Sequence, residues 1–286
     1  MPSLIDIRRR IRSVRNTQQI TKAMKMVSAA KLRRAQDRVI AARPYAGMLQ
    51  QMLSNVAAAA MGDERVASNP LLAVRPERRI QLIVVTSDRG LAGALNANLL
   101  RAVQRFIDQH AGAELQVEAV GRKGRDYLRK RRIPLTGEHI GLLQKVNYAD
   151  AAGIARSVMD RFAEGEIDAV YILYNEFKSV IAQKVLMDRI LPIALPEQSE
   201  GRDYIFEQRP EELLESLLPK YVEVHLYRAM LESAAAEHAA RMTAMDAATS
   251  NASDVIDRLT LYMNRVRQAS ITREIIEVVS GASALE

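Results

Sequence analysis

Residues 220–280 read KYVEVHLYRAMLESAAAEHAARMTAMDAATSNASDVIDRLTLYMNRVRQASITREIIEVVS, without a proline or a glycine, and this predicts one very long helix. At about 1.5 Å per residue, roughly 60 residues form a rod of about 90 Å, far longer than an ordinary globular helix. Its seam positions, spaced alternately by three and four, are Val224, Tyr227, Leu231, Ala234, His238, Arg241, Met245, Ala248, Ala252, Val255, Leu259, Tyr262, Val266 and Ala269. This heptad pattern requires another helix alongside.

A second heptad seam lies at the beginning of the chain. Its positions are Ile7, Ile11, Val14, Gln18, Thr21, Lys25, Ser28, Leu32, Ala35, Val39, Ala42, Ala46, Leu49, Leu53, Val56 and Ala60. Two separate bundles would need further long amphipathic helices, which the middle of the chain does not offer. We therefore predict that residues 1–62 and 210–286 pair as an antiparallel two-helix coiled coil. We expect Pro44 to kink the first helix, and Pro219 to begin the second after a short helical lead-in from Pro210.

The middle of the chain alternates strands with helices. Predicted strands cover residues 80–85, 115–120 and 169–174, and residues 180–190 can form a hairpin with the last of these. Predicted helices cover residues 95–109, 123–131 and 148–163, while the glycines between Gly137 and Gly141 predict a loop. This order is typical of a small doubly wound, Rossmann-like α/β domain, which we place at residues 75–209.

Composition limits the class of protein. The 286 residues are 48% hydrophobic and 26% charged, which fits neither a disordered chain nor a membrane-spanning one. Cysteine is absent, so the sequence offers neither disulfides nor a thiolate zinc site. The opening residues lack the apolar core of a signal peptide, and no apolar run approaches the ~18 residues of a membrane span. We expect a soluble chain that is not secreted.

Positive charge is concentrated on the first helix. The formal net charge is +7, and the first helix carries only Asp6 and Asp37 against a long series of cations. Those cations are Arg8, Arg9, Arg10, Arg12, Arg15, Lys22, Lys25, Lys31, Arg33, Arg34, Arg38 and Arg43. Many charge runs are only solvated faces, but a helix this one-sided repels itself unless an anionic partner is near. Nucleic acid, acidic lipid and an acidic protein surface all satisfy this requirement.

The sequence shows no pattern of an active site. Gly90 and Gly93 follow the first strand, but both the full dinucleotide-binding glycine pattern and a phosphate-loop lysine are missing. The four histidines have no metal-ligand spacing, and no nucleophile motif or carboxylate pair is recognisable. We therefore expect no catalytic, cofactor-binding or metal-binding residue on this chain. Two functions stay open as alternatives. A basic coiled-coil protein that binds nucleic acid agrees better with the sequence than a nucleotide-dependent enzyme does.

The end of the second helix is apolar on nearly every side. From Ile275 onward, Glu277 is the only charged residue before the last one. The apolar residues of this stretch are Ile275, Ile276, Val278, Val279 and Leu285. A helix tip exposed to water would be polar, so we expect this tip to sit in an apolar sleeve provided by another protein.

Three separated stretches resemble one known family. They are residues 7–27, which include Asn16-Thr17-Gln18-Gln19-Ile20-Thr21-Lys22-Ala23-Met24, residues 87–91, and residues 267–282 with Arg267-Gln268-Ala269-Ser270-Ile271-Thr272. In these stretches, and along its whole length, the chain resembles the gamma subunit of bacterial-type F-type ATP synthases, the central rotor shaft. Ala92 stands where many relatives carry cysteine, and the regulatory insertion of plastid versions is missing.

The resemblance implies a function and a set of partners. The coiled coil would occupy the axis of the alpha and beta subunits, and the α/β domain would join the epsilon subunit and the ring of c subunits. Turning of that ring would change the affinities of the catalytic sites on beta, with no chemistry on this chain. The complex would be peripheral on the cytoplasmic face of the bacterial plasma membrane.

The resemblance also implies roles for individual residues. Contacts with the beta subunit are implied for Met24, Lys25, Arg241, Gln268 and Thr272. Contacts with the c ring or epsilon are implied for Tyr204 and Glu207. The apolar tip would turn in the bearing formed by the alpha and beta subunits.

Overall fold

A computed structural model describes residues 3–59, 69–194 and 208–283. The helices are α1 (Leu4–Ala59), α2 (Leu95–Gln109), α3 (Arg122–Lys130), α4 (Tyr148–Ala163) and α5 (Pro210–Ser283). The strands are β1 (Arg79–Val85), β2 (Glu114–Val120), β3 (Leu135–His139), β4 (Ala169–Phe177) and β5 (Gln183–Leu191). The chain divides into two compact units, Met1–Ser28 with Met242–Glu286 and Ala29–Arg241. The domain boundaries at residues 62, 75 and 209 stay a prediction.

The first unit contains the beginning of α1 and the end of α5. The helix α1 begins with reciprocal hydrogen bonds between Ser3 and Asp6, which satisfy backbone groups of its first turn. Farther along, the Thr21 hydroxyl lies 2.8 Å from the Thr249 hydroxyl, and Lys25 Nζ lies 2.5 Å from Asp246 Oδ1. As residue numbers rise along α1, those of the partners on α5 fall. The helices are therefore antiparallel, as predicted.

The heptad pattern identifies the buried face of α1. Each described residue of the first predicted seam is buried or half-buried, from Ile7, which is 4% exposed, to Val56, which is 2% exposed. On α5 the pattern weakens towards the C-terminus, where Tyr262 and Ala269 are exposed. Helix pairing therefore removes the α1 seam from water.

The second unit contains a five-stranded sheet in the order β3-β2-β1-β4-β5. The first four strands are parallel, and β5 pairs antiparallel with β4 as a hairpin. The predicted strands and helices appear because their apolar residues are buried, with Leu82 and Val84 of β1 and Leu99 and Phe106 of α2 in one core. The predicted doubly wound α/β fold between two long helices is confirmed.

Two local predictions were wrong. Residues 135–139 form β3, although glycines predicted a loop over residues 137–141, because this segment pairs in parallel with β2. A Cβ at Gly137 would lie 2.8 Å from Glu118 Oε1, so the Glu118 side chain would have to shift to admit a larger residue there. Pro219 does not begin the long helix but lies inside α5. Leu214 and Leu218, which are 1% and 0% exposed, are buried just before the proline and keep the chain helical there.

A buried carboxylate joins three elements of the second unit. Glu232 on α5 has a fully buried side chain and accepts hydrogen bonds from Arg43 Nε at 3.1 Å and from the Phe177 backbone N–H at 3.1 Å. Arg43 on α1 also donates to the Phe177 carbonyl oxygen at 3.0 Å. Glu232 and Arg43 therefore hold α1 and α5 to the end of β4.

A second carboxylate joins α4 to α5. Glu223 accepts from Lys220, from the Arg156 guanidinium and from the Tyr148 hydroxyl. Burial raises the pKa of Glu223, but these three donors outweigh burial and hold it below its ordinary value. The carboxylate is therefore held in its charged form.

We predict that Glu232→Ala lowers the free energy of unfolding by about 2 to 3 kcal/mol. The upper range for breaking a buried pair is ~3–5 kcal/mol, and it is reduced here because the Arg43 side chain is 45% exposed and water can reach it. Chemical denaturation of the full chain measures the change. The exposed Glu215→Ala on the same helix should change it by less than about 0.5 kcal/mol. An equal loss in the two variants would contradict a special role for Glu232.

Disulfide cross-linking tests the antiparallel register. Because the natural chain lacks cysteine, Thr21→Cys with Thr249→Cys introduces the only two thiols. The native hydroxyls are 2.8 Å apart, so we expect rapid oxidation to a disulfide. Thr21→Cys with Thr260→Cys is the matched control, since Thr260 lies about 16 Å farther along α5. Equal cross-linking of both pairs on a non-reducing gel would show that the register is wrong.

Candidate interaction surfaces

Side chains of the turn after β1 form hydrogen bonds within the turn and to neighbouring backbone groups. We call residues 86–93 the β1 turn. Ser87 Oγ donates to the Arg89 carbonyl oxygen at 2.7 Å. The Asp88 carboxylate accepts from the backbone N–H of Arg122 at 2.9 Å and from that of Gly141 at 3.0 Å. Asp88 therefore fixes the β1 turn to the start of α3.

Helix α5 lies directly over the β1 turn. The Arg241 guanidinium donates to the Gly90 carbonyl oxygen at 3.3 Å and to Glu237 Oε1 at 2.6 Å. Burial raises the pKa of Glu237, and the positive charge of Arg241 opposes that rise. Arg241 thereby joins α5 to the end of β1.

The same helix covers the carboxyl end of β4. Glu232 accepts from the Phe177 N–H, and Ser233 Oγ accepts from the Asn175 N–H at 3.3 Å. In doubly wound sheets, ligands bind in the crevice beyond the carboxyl ends of the strands where the strand order reverses. That reversal lies between β1 and β4 here, and α5 occupies it.

The residues for which beta contacts were predicted lie in different environments. Met24 and Lys25 are half-buried on α1, and the Lys25 ammonium is paired with Asp246. Gln268 and Thr272 are exposed on α5, where the Thr272 hydroxyl donates to the Gln268 carbonyl oxygen at 3.0 Å. The Arg241 side chain is only 10% exposed and is engaged within its own unit. The role of all five residues in binding beta stays a prediction.

The end of α5 is exposed on every side. Side chains from Ile271 to Ser280 are all exposed, including Ile275 at 57%, Ile276 at 58% and Val278 at 73%. Val279 is also exposed, at 59%. We call residues 275–280 the tip. Leu285 lies outside the described residues, as do Tyr204 and Glu207, so the contacts predicted for these three stay predictions.

The cations of α1 differ in how they are engaged. Arg43 is bound to Glu232, whereas Arg33, Arg34 and Arg38 are exposed and make no ion pair within the described part of the chain. All three lie on the part of α1 that belongs to the second unit, and they form a positively charged surface there. This surface is available to an anionic partner.

Sequence reasoning missed the contacts that hold the β1 turn. Glu237 and Arg241 are spaced by four residues on a helix, which was a usable signal for an ion pair. No sequence pattern could indicate that the Gly90 carbonyl would be the second acceptor, because that contact depends on the tertiary fold.

Neither a metal centre nor a membrane span is found in the described residues. Within residues 3–59, 69–194 and 208–283, no three or more histidine or carboxylate side chains are grouped so that they could hold a metal ion. None of the described helices combines the length and the apolar character that crossing a membrane requires.

Comparisons with known proteins cover almost the whole chain. The family model described as ATP synthase matches residues 3–285. The ATP synthase gamma chain of Solibacter usitatus is 67% identical, and that of Anaeromyxobacter sp. strain Fw109-5 is 51% identical, each over the full length of both chains.

Solved structures show the same architecture. A chain of the Tetrahymena thermophila mitochondrial ATP synthase central stalk and c ring is 29% identical, with a TM-score of 0.62. The match covers 80% of this chain and 99% of that one. A chain of the Euglena gracilis mitochondrial ATP synthase, at 18% identity and a TM-score of 0.66, shares the fold over 99% of this chain and 94% of that one. By full-length identity to its bacterial relatives, this chain belongs to the ATP synthase gamma chain family.

Proposed function

We propose that this chain is the central rotor shaft of a proton-translocating F-type ATP synthase. It couples rotation of the c ring to conformational changes at the catalytic sites on the beta subunits, and so regulates ATPase activity and proton flow. The observation that carries this proposal is the 67% identity to a gamma chain over the whole length, together with two long antiparallel helices that can transmit torque.

The chain itself performs no chemistry in this proposal. The position of α5 supports this. Its residues Arg241 and Glu232 lie over the ends of β1 and β4, where a doubly wound domain would otherwise bind a nucleotide. The α/β domain then serves as a rigid body fixed to the shaft. Glu223, with its three donors, adds to that rigidity.

The proposed partners are the alpha and beta subunits, the epsilon subunit and the c ring. The Tetrahymena relative belongs to an assembly described as central stalk and c ring, which supports placing this chain in the central stalk, next to the c ring. We place the complex on the cytoplasmic face of the bacterial plasma membrane, because the most similar relatives named here are bacterial.

The charged surface of α1 suits a rotating contact with an acidic protein surface. Tight bidentate pairs would hold the shaft at one angle, whereas each exposed pair contributes only ~0 to 1 kcal/mol. Arg33, Arg34 and Arg38 are exposed and can exchange partners as the angle changes. Such a contact attracts the shaft to the acidic surface without fixing its angle.

We predict that the triple variant Arg33→Ala, Arg34→Ala, Arg38→Ala folds normally but alters the coupling of ATP hydrolysis to proton pumping. Exposed cations add little to folding, while their loss removes attraction to the acidic surface. Proton pumping and ATPase rate are measured together in vesicles containing the complete complex.

The same triple variant separates the shaft from the nucleic-acid alternative. A salt-titrated binding curve with duplex DNA should show only weak binding by the unmodified chain at physiological salt. Unchanged pumping, combined with submicromolar DNA affinity that the variant loses, would favour the nucleic-acid function instead.

A charge in the tip should impair the assembled complex without destabilising the chain. Ile276→Asp puts a carboxylate on an apolar surface that we expect to be enclosed by other subunits, and burying an unpaired charge is unfavourable. We expect ATP synthesis by the reconstituted complex to fall several-fold. The matched control is Ile181→Asp at the β4–β5 hairpin, where the native side chain is 86% exposed. Equal effects of the two variants would contradict an apolar bearing at the tip.

A further inference from the structure

A cationic groove lies in the second unit, and no residue of the β1 turn lines it. It is bounded by α1, by α5 and by residues 142–146 before α4. Its buried floor is apolar and consists of Leu143, Val146, Leu231 and Ala234. We call it the 31–38 groove after the α1 residues on its rim.

The rim of the 31–38 groove carries four cations and no carboxylate. Lys31, Arg34 and Arg38 come from α1, and Lys145 comes from the opposite side. All four are exposed, and none makes an ion pair within the part of the chain that the structure describes. Because like charges around one concavity repel each other, binding of an anion in the groove is electrostatically favourable.

His238 adds a neutral ring to the lining of the groove. Its Nδ1 atom is buried and has no hydrogen-bond partner among the described residues. Burial lowers the pKa of His238 to about 4, with the positive charges of Arg241 and Lys31 acting in the same direction. At neutral pH the imidazole is therefore uncharged and adds no charge to the groove that it lines.

The spacing of the cations sets the kind of anion. Lys31 and Arg38 are separated by about 10 Å along α1, so a single phosphate cannot contact both ends of the rim. A chain of phosphates can, and each guanidinium matches two phosphate oxygens. An acidic peptide fits less well, since its backbone N–H groups would meet cations and an apolar floor that offers few acceptors.

We propose that the 31–38 groove binds a polyphosphate chain, either inorganic polyphosphate or the triphosphate of a nucleotide. The phosphates contact Arg34, Arg38 and Lys145 and lie beside the His238 ring that lines the groove. Binding here is independent of any catalytic site. It would compete with an acidic protein surface for two of the same arginines, which gives phosphate compounds a way to influence the shaft.

The first test measures the binding of inorganic tripolyphosphate to the full chain by calorimetry, without divalent cations. Arg34→Gln and Lys145→Gln should each weaken binding by about three- to tenfold, the range expected for one charge-assisted contact. The matched control is Arg33→Gln, which removes the same charge from α1 outside the groove. Equal weakening in Arg33→Gln and Arg34→Gln, or undetectable binding by the unmodified chain, would overturn the proposal.

A second readout is specific to the groove. The chain has only four histidines, so their ring signals can be followed individually by NMR and assigned by substitution. Tripolyphosphate should shift the His238 signal and leave those of His110 and His225 unchanged. Uniform shifts of all histidines would indicate non-specific binding to a basic protein and contradict the site.

Competition identifies the source of the ligand. ATP that binds as tightly as tripolyphosphate supports recognition of the phosphate chain alone, and tenfold tighter ATP binding assigns the site to a nucleotide triphosphate. A glutamate peptide of equal charge should displace tripolyphosphate poorly. If the peptide displaces it at a lower concentration than ATP does, the groove is a site for acidic protein segments and the phosphate proposal is wrong.

Discussion

The buried carboxylate of Glu232 is the interaction on which the second unit depends. It receives the Arg43 guanidinium from α1 and the Phe177 N–H from β4, so a single side chain on α5 unites both long helices with the sheet. A buried charge without such donors would be strongly unfavourable, so Glu232 favours the arrangement in which the three elements are together. With Glu223 and Arg241, Glu232 attaches the α/β domain at several points to the part of α5 that lies in the second unit. A shaft needs this property, because torque applied to the domain must reach the helices without being lost in a hinge.

The first unit is held by weaker and more polar contacts. Thr21 faces Thr249 across the helix pair, and the Lys25–Asp246 ion pair is exposed, with side chains 42% and 61% accessible. Exposed ion pairs contribute ~0 to 1 kcal/mol, so register here is set by a few small polar contacts beside buried Ile7 and Ile11. The apolar side chains of the tip, such as Ile275 and Ile276, are exposed instead.

The sequence predicted the helices and the sheet well because heptad spacing and buried apolar runs are local signals. It failed at Pro219 and Gly137, where tertiary structure decides the conformation: the buried Leu214 and Leu218 hold the helix, and pairing with β2 makes residues 135–139 a strand. The resemblance singled out Arg241 as a partner contact but could not predict its attachment to Gly90, which depends on where α5 crosses the β1 turn. The 31–38 groove was equally hidden, because Lys145 is more than a hundred residues from Arg38.

Rotation can be observed directly because the natural chain contains no cysteine. Ile181→Cys, at the 86% exposed hairpin position, provides a single thiol for a visible probe on a complex immobilised through its beta subunits. We predict that the probe turns in one direction when ATP is added and stops when ATP is removed. A probe that stays fixed while the same complexes hydrolyse ATP would contradict the assignment of this chain as the rotor shaft.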